Sequence, residues 1–385
     1  MVYLSEGLEK MRIHPVDGLL YLTMKCHKSL DSRKTGLASF DPESVRNILV
    51  VSSTAIGDTL LSTPAIRAVR ERYPQAKILA HLNIRNMEMF KNNPHINGII
   101  PYYNGYRKFL KTIQEFRRHK FDMALIFHGN EPQATPMAYL SGARFIIKLP
   151  NTSEYKFLLS NNKVVLRGDE LGHGIEQRLK IAELAGCNVS DKKMVLPVLK
   201  DGDLFIEKFL KKGGIKDTDV VIGFQAGAST ISRMWFSERF VELGKRLIKS
   251  YPNLQIVITG SPKEFDYCKS MADAIGEEVV VSAGRIPLKY LPSLIKRMKL
   301  LVSGDTGTMH LAVAVETPVV SLFAVSDPER SGPYYDLDKH PVIKKERTCD
   351  PCVSKKCKCQ KCMENISVDE VFDSVIDVLS REKKD

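Results

Sequence analysis

Five short apolar runs, Ile48–Ser52, Lys77–Leu82, Asn97–Pro101, Met123–Phe127 and Phe145–Lys148, are separated by stretches with helical periodicity. Strand-length runs alternating with amphipathic helices can bury both sets of apolar residues in one way above others. That arrangement is a parallel sheet with helices on its two faces. The predicted helices are Ala65–Tyr73, a short one at about 85–91, Arg107–His119 and Gln133–Leu140. Pro64 lacks a backbone donor and is awkward within a helix. Thr63 as N-cap with Pro64 in the first turn is therefore expected, leaving a long loop after the first strand.

The alternation begins again after residue 215. Predicted strands are Val220–Phe224, Gln255–Thr259, Val279–Ser282, Leu300–Ser303 and Val319–Phe323. Predicted helices are Ile175–Ala185 before the break, then Glu238–Ser250, Lys263–Ile275, Pro292–Met298 and Met309–Val315. A chain of 385 residues exceeds one ordinary core. The expected organisation is an N-terminal extension over 1–44, a first Rossmann-like domain over 45–200, a second over 201–345, and a Cys-rich segment with a terminal helix over 346–385. The fold class is α/β, two doubly wound domains facing a cleft.

The net charge of +12 favours an anionic partner: nucleic acid, a phospholipid surface or a phosphorylated substrate. No apolar run approaches the ~20 residues of a membrane-spanning helix, so a cytoplasmic location is the expectation. In the extension, Leu19, Leu20, Tyr21 and Leu22 precede Lys25, Lys28, Arg33 and Lys34. This suits an amphipathic segment on an anionic membrane surface, a helix packed on the domain, or a frayed terminus.

Ligands of open α/β sheets sit at the carboxyl ends of strands, so the loops there are the candidates. After the first strand, Asp58 is the one charge in Ser52-Ser-Thr-Ala-Ile-Gly-Asp58, a candidate catalytic base. Its alternative role is a helix cap or a loop ion pair. Three loops of the second half resemble phosphate cradles. Gly227, Ala228 and Ser229 let backbone amides approach an anion, with Arg233 to add charge. Glu264, after Gly260-Ser-Pro-Lys, could accept from ribose hydroxyls. Asp305, Thr306, Gly307, Thr308 and His310 join an apolar strand to a helix start, which suits a diphosphate or simply a well-capped helix. Gly57, His128 and Asn130 are the acceptor-side candidates, a turn being the other reading of His128-Gly-Asn130. Asp201/Asp203 and Asp336/Asp338 form Asp-x-Asp pairs beside Gly and Pro, where turn chemistry is expected rather than metal. Neither G-x-G-x-x-G nor a Walker motif occurs, which argues against a dehydrogenase or a P-loop nucleotidase.

Taken together, ILVVSSTAIGDTLLSTPAIRAVRERYP, GFQAGASTISRMW and SGDTGTMHLAVAVETPVVSLFAVSDPERSGP resemble the heptosyltransferases, glycosyltransferase family nine. The similarity runs from Asn47 to Tyr334. It implies a GT-B fold and an inverting, metal-independent transfer of heptose from ADP-heptose to the lipopolysaccharide core. By the same resemblance Asp58 is the base, Arg233 the basic residue after the small-residue loop, and Asp305, Thr306, Gly307 and His310 the diphosphate site. The chain departs from the family pattern at Phe224-Gln225 and at Met234-Trp235-Phe236. The expected partners are an ADP-sugar donor, a lipid-linked or lipopolysaccharide acceptor and an anionic membrane surface, without nucleic acid. The expected location is cytoplasmic, peripheral on the inner face of the bacterial inner membrane.

Five cysteines form C-x2-C-x4-C-x-C-x2-C between Cys349 and Cys362. Cys349, Cys352, Cys357 and Cys362 suit a structural zinc; an iron–sulfur centre, disulfides or adjacent thiols are the alternatives. No cofactor is expected for catalysis. Two other readings of the chain stand beside the transferase: a non-catalytic nucleotide-sugar binding protein, and a zinc-bearing nucleic-acid-binding protein.

Overall fold

The computed structural model describes residues 15–33, 35–149, 154–160, 170, 172–349 and 357–381. Helix α1 (Pro15–Ser29) precedes five strands: β1 (Asn47–Ser52), β2 (Lys77–Asn83), β3 (Gly98–Tyr102), β4 (Met123–His128) and β5 (Phe145–Ile147). Helices α2 (Ile56–Arg72), α3 (Phe109–Arg118), α4 (Ala134–Leu140) and α5 (Gly174–Leu184) complete the first unit. Its strands are parallel, in the order β3-β2-β1-β4-β5.

The second unit has strands β6 (Val220–Gln225), β7 (Leu254–Thr259), β8 (Val279–Val281), β9 (Leu300–Gly304), β10 (Val319–Phe323) and β11 (Val342–Lys344). Its helices are α6 (Lys200–Lys212), α7 (Ser237–Ser250), α8 (Phe265–Ile275), α9 (Leu291–Arg297), α10 (Gly307–Ala314), α11 (Pro328–Ser331) and α12 (Val368–Arg381). All six strands are parallel, in the order β11-β10-β9-β6-β7-β8. The predicted strands are all present, because runs buried on both faces of a parallel sheet are continuously apolar. β11 was not expected: three residues are too few to show a period.

Each face of the first sheet has its own core. Ile48 and Val50 point towards α2 and α5, whereas Leu49 and Val51 lie in the cluster that holds Met24 of α1 and Phe116 of α3. The first of these clusters continues through Met309 and Val313 of α10 to Leu294 of α9. Apolar burial therefore binds the two units to one another, along the line where α2 meets α10.

Two expectations are corrected. Asp201 and Asp203 lie in the first turn of α6, where they complement the helix dipole, rather than in a loop. Gly202 between them faces Ser293, and Asp201 accepts from the Tyr290 hydroxyl at 2.6 Å. The second correction concerns α2. It begins at Ile56, with Ala55 as N-cap, and Pro64 lies inside it. Thr63 is no cap. Its hydroxyl donates to the Leu60 carbonyl at 2.7 Å, the group that Pro64 leaves without its usual N–H partner, and accepts from the Val195 N–H at 2.9 Å. The proline is thereby accommodated, and Asp58 sits in the first turn of a helix, not in an extended loop.

Candidate active site

In each sheet the strand order reverses once on either side of a central pair, β1/β4 in the first and β6/β9 in the second. The carboxyl ends of those pairs are where open α/β sheets form crevices. β1 leads into Thr54 and Asp58, and β4 ends at His128. β6 ends at Gln225, and β9 leads into Asp305 and α10. The helix starts of α2 and α10 face each other across the crevice. A Cβ on Gly57 would lie 2.6 Å from Cδ2 of His310, and one on Gly307 would lie 3.5 Å from Cβ of Ile56. Only a glycine at 57 allows the His310 ring to lie against the α2 backbone.

The Asp58 carboxylate, about a quarter exposed, is held on both oxygens. Thr54 Oγ1 donates to Oδ2 at 2.8 Å, and Arg178 Nη2 donates to Oδ1 at 3.0 Å. Arg178 is buried, and its other nitrogens donate to the Gly174 carbonyl at 2.7 Å and to Ser62 Oγ at 3.2 Å. His128 Nε2 stands 3.6 Å from Oδ1. Its Nδ1 is 2.7 Å from Thr54 Oγ1. Because the single Thr54 proton is given to Asp58, Nδ1 must carry the hydrogen of this second bond, which leaves Nε2 as the acceptor of a neutral ring.

Burial pushes the Asp58 carboxyl up, but His128, Arg178, the Thr54 hydrogen bond and His310 outweigh it, and the group lies below its ordinary range. Burial drives His128 down to about 4, against the opposing pull of Asp58. At neutral pH the countercharge to Asp58 is therefore Arg178, with His128 uncharged. Burial also lowers His310, although Asp305 and Asp58 favour its charged form. The first turn of α2 adds the favourable end of a helix dipole to the same carboxylate.

On the facing side, Arg233 Nη1 lies 3.3 Å from the buried Asp305 carboxylate, and Arg233 Nε is buried without a partner. Gly304 has no Cβ to obstruct the Arg233 carbonyl, which would be 2.6 Å from one. Thr306 is the N-cap of α10 and accepts from Met309 N–H at 3.4 Å, so the capping role falls to Thr306 and leaves Asp305 for Arg233. Thr308 Oγ1 donates to Gln225 Oε1 at 3.0 Å, Thr259 does so at 2.7 Å, and Gln225 Nε2 donates to the Gly227 carbonyl at 2.8 Å. One amide thus locks together the ends of β6, β7 and α10. Glu264 accepts from Ser261 N–H at 2.6 Å and lies directly over Gly227, in the space a Cβ there would fill. Ala228 is half-buried and Ser229 exposed at the mouth of that loop. Asn130, half-buried just beyond β4, accepts through its backbone carbonyl from Ala134 N–H at 2.9 Å.

Sequence reasoning missed Arg178, Thr54, Gln225 and His173. Arg178 carried a signal: with Ile175, Leu179 and Ala182 it occupies the apolar side of a helical pattern, where a cation needs a buried partner. His173 caps α5 through Nδ1, donates from Nε2 to the Gly332 carbonyl at 3.0 Å and stacks on Tyr334 at 4.3 Å. The segment that follows α11 thereby braces the helix that carries Arg178.

The cysteines stand apart from this crevice. Cys352 lies outside the described residues. Cys362 is buried and accepts from Thr348 N–H at 3.4 Å; Cys349 and Cys359 are exposed. Among the described residues no group of three or more His, Cys, Asp or Glu is arranged to hold a metal. The segment packs behind the Arg233 loop: Gln360 donates to the Met234 carbonyl at 3.1 Å and Trp235 to the Ile366 carbonyl at 3.0 Å.

The profile of glycosyltransferase family 9 (heptosyltransferase) matches residues 109–363. The chain belongs to this family. It is a glycosyltransferase. It is 24% identical over 302 residues to the lipopolysaccharide core heptosyltransferase OpsX of Haemophilus influenzae, covering 77% of this chain and 84% of that one. It is 26% identical over 285 residues to lipopolysaccharide heptosyltransferase 3 of Escherichia coli, covering 70% and 81%. Its fold is similar to that of a family 9 glycosyltransferase from Veillonella parvula, with a TM-score of 0.73 at 21% identity over 87% of this chain and 97% of the other. It is also similar to E. coli ADP-heptose lps heptosyltransferase II, at 0.72 and 23%, over 88% and 99%. The two-domain α/β expectation is met. No helix among the described residues is long and apolar enough to cross a membrane.

Proposed function

We propose that this glycosyltransferase moves heptose from ADP-heptose onto a lipopolysaccharide-core or related lipid-linked glycan acceptor, with inversion and without a metal ion in the transfer step. The observation that carries the reading is the contact of Gly57 with His310. It sets the Asp58 carboxylate against the Arg233–Asp305 loop across one crevice. The names of the relatives support the donor and acceptor class.

In the proposed reaction an acceptor hydroxyl attacks the anomeric carbon from the face opposite the diphosphate. The new C–O bond forms as the bond to the diphosphate breaks, and Asp58 takes the hydroxyl proton. A carboxylate whose pKa is held low is a weak base, so it takes the proton late, once bond formation has made the hydroxyl acidic. His128 Nε2, an acceptor at the crevice, and Asn130 orient the acceptor. Arg233, the first-turn N–H groups of α10 and the loop at Gly227–Ser229 take up charge on the departing diphosphate. Glu264 faces the ribose.

A structural zinc at Cys349, Cys352, Cys357 and Cys362 belongs to the same proposal. Its support is the C-x2-C spacing, together with N–H donors aimed at sulfur, Thr348 to Cys362 and Cys359 to Cys357, each at 3.4 Å. Such a clip would brace the Arg233 loop from behind. Its contribution is to folding, not to the transfer.

Thermal shift with ADP-heptose, other ADP-sugars and UDP- or GDP-sugars tests the donor, with selective stabilisation by ADP-heptose expected. Asp58→Asn should retain that shift and lose transfer by about 10³-fold or more. Near wild-type transfer by this variant would remove Asp58 as base. Loss of transfer without any nucleotide-sugar shift would point instead to a failed donor site.

A further inference from the structure

The four most exposed large apolar side chains among the described residues are Leu30 (87%), Leu110 (74%), Leu19 (66%) and Leu22 (62%). All four belong to α1, its exit, and α3. On α1 the buried Met24 and the half-buried Tyr21 and Lys28 define the inner side; Leu19, Leu22 and Cys26, spaced i, i+3 and i+7, lie opposite. This helix is apolar on both sides. The inner side is accounted for: Tyr21 meets Tyr155 and Phe157, each at 5.6 Å, and Met24 joins the core of the first sheet. Among the described residues the outer side has no counterpart: Leu19 and Leu22 are exposed, and burying such a surface elsewhere is favourable.

The two helices form one surface. Asp17 at the start of α1 accepts from the hydroxyl of Tyr106, which precedes α3. At their far ends, His27, Leu30 and Arg33 share a shallow depression with Arg117 and Lys120. Residues 15–33 and 107–120 carry nine Lys and Arg against three acids. Those acids are engaged. Asp17 is bound by Tyr106, Asp31 by Arg33 and Tyr139, and Glu115 by Arg118 and His119. The surplus of six is half of the chain's net +12. Arg107, Lys108, Lys111, Arg117 and Lys120 remain exposed beside Leu110.

We infer that the α1–α3 face docks on an anionic lipid bilayer, with Leu19, Leu22, Leu30 and Leu110 entering the headgroup boundary and the basic side chains of α3 facing the phosphates. Exposed leucines within a basic field match such a surface in both respects. A protein partner would need only the apolar patch, and free nucleic acid only the charge. The Asp17–Tyr106 bond lies just beyond the carboxyl end of β3, so one end of this face borders the crevice side of the sheet. The inference extends the lipid-linked-acceptor reading, but its test uses neither donor nor acceptor.

Cosedimentation of the full chain with vesicles of roughly one-third phosphatidylglycerol in phosphatidylcholine, and with phosphatidylcholine alone, is the test. Binding to the anionic vesicles alone is expected, weakening as salt is raised. Leu19→Ser with Leu22→Ser should lower the partition at least ~10-fold, and Arg107→Glu with Lys111→Glu by a similar factor. All variants should keep the wild-type melting temperature and nucleotide-sugar shift, since these side chains face solvent. Equal binding by the leucine variants, or no vesicle binding by wild type, overturns the inference. A dimer in sedimentation that the leucine changes dissolve, without lipid binding, overturns it in favour of a second copy.

Discussion

Arg178 Nη2 donates to Asp58 Oδ1 at 3.0 Å, joining residues 120 positions apart. The arginine is almost wholly buried and the carboxylate partly open to the crevice. One partner is therefore fixed by packing while the other remains available to a substrate.

Replacing Arg178 with Met should raise the Asp58 pKa, because the cation that balances it at neutral pH is lost. The acid limb of kcat/KM then moves to higher pH, and the rate at neutral pH falls about 10–100-fold. Arg178→Lys should restore part of the charge effect without the Gly174 and Ser62 bonds. A pH–rate profile for the three proteins is the measurement; an unmoved acid limb in Arg178→Met would contradict the assignment.

Gly57→Ala places a methyl 2.6 Å from His310 Cδ2. The ring must shift, at about 1–3 kcal/mol, and because the two residues belong to facing domains the strain falls on the closed crevice. Transfer should drop by about 10-fold or more with a smaller change in melting temperature. Gly36→Ala, with nothing within 4 Å of the added methyl, serves as the unaffected control.

Stability should fall as pH drops from about 6.5 to 4. Burial holds His81, His173 and His340 down at about 4. Each is neutral in the fold but protonates near 6.5 when unfolded. The unfolded chain thus binds more protons in this window, so the stabilisation is complete above it and lost on descending through it. For His81, fully buried with Nε2 unpartnered, the loss is about 3 kcal/mol. Denaturant titrations at several pH values should show a shallower decline in His81→Leu.

Metal analysis of the purified chain should find about one zinc per molecule, released when Cys362 is replaced by Ser. Chelation should lower the melting temperature and leave the nucleotide preference unchanged. A chain free of zinc and insensitive to chelator would reduce the cluster to adjacent thiols; iron in its place would point to the iron–sulfur alternative.

The strands were legible because a buried parallel strand is a contiguous apolar run, and β10 begins and ends where the run Val319–Phe323 does. The loops at strand ends were legible through their small residues, and Arg233 and Asp305 do meet there. The start of α2 was misread because the cost of Pro64 was judged locally, whereas the Thr63 hydroxyl offsets it. The three-residue β11 and the buried cation of α5 left no local mark strong enough to assign.

Contiguous residues determined where strands and helices form and which loops are rich in small and polar groups, since periodicity and turn chemistry act over a few positions. Tertiary structure alone decided which groups share the crevice. Asp58 acquires its countercharge from α5, a neighbouring histidine, linked to it through Thr54, from the end of β4, and its facing ring from α10. A carboxylate's pKa and reach depend on charges and donors within a few ångströms, and here those come from distant parts of the chain.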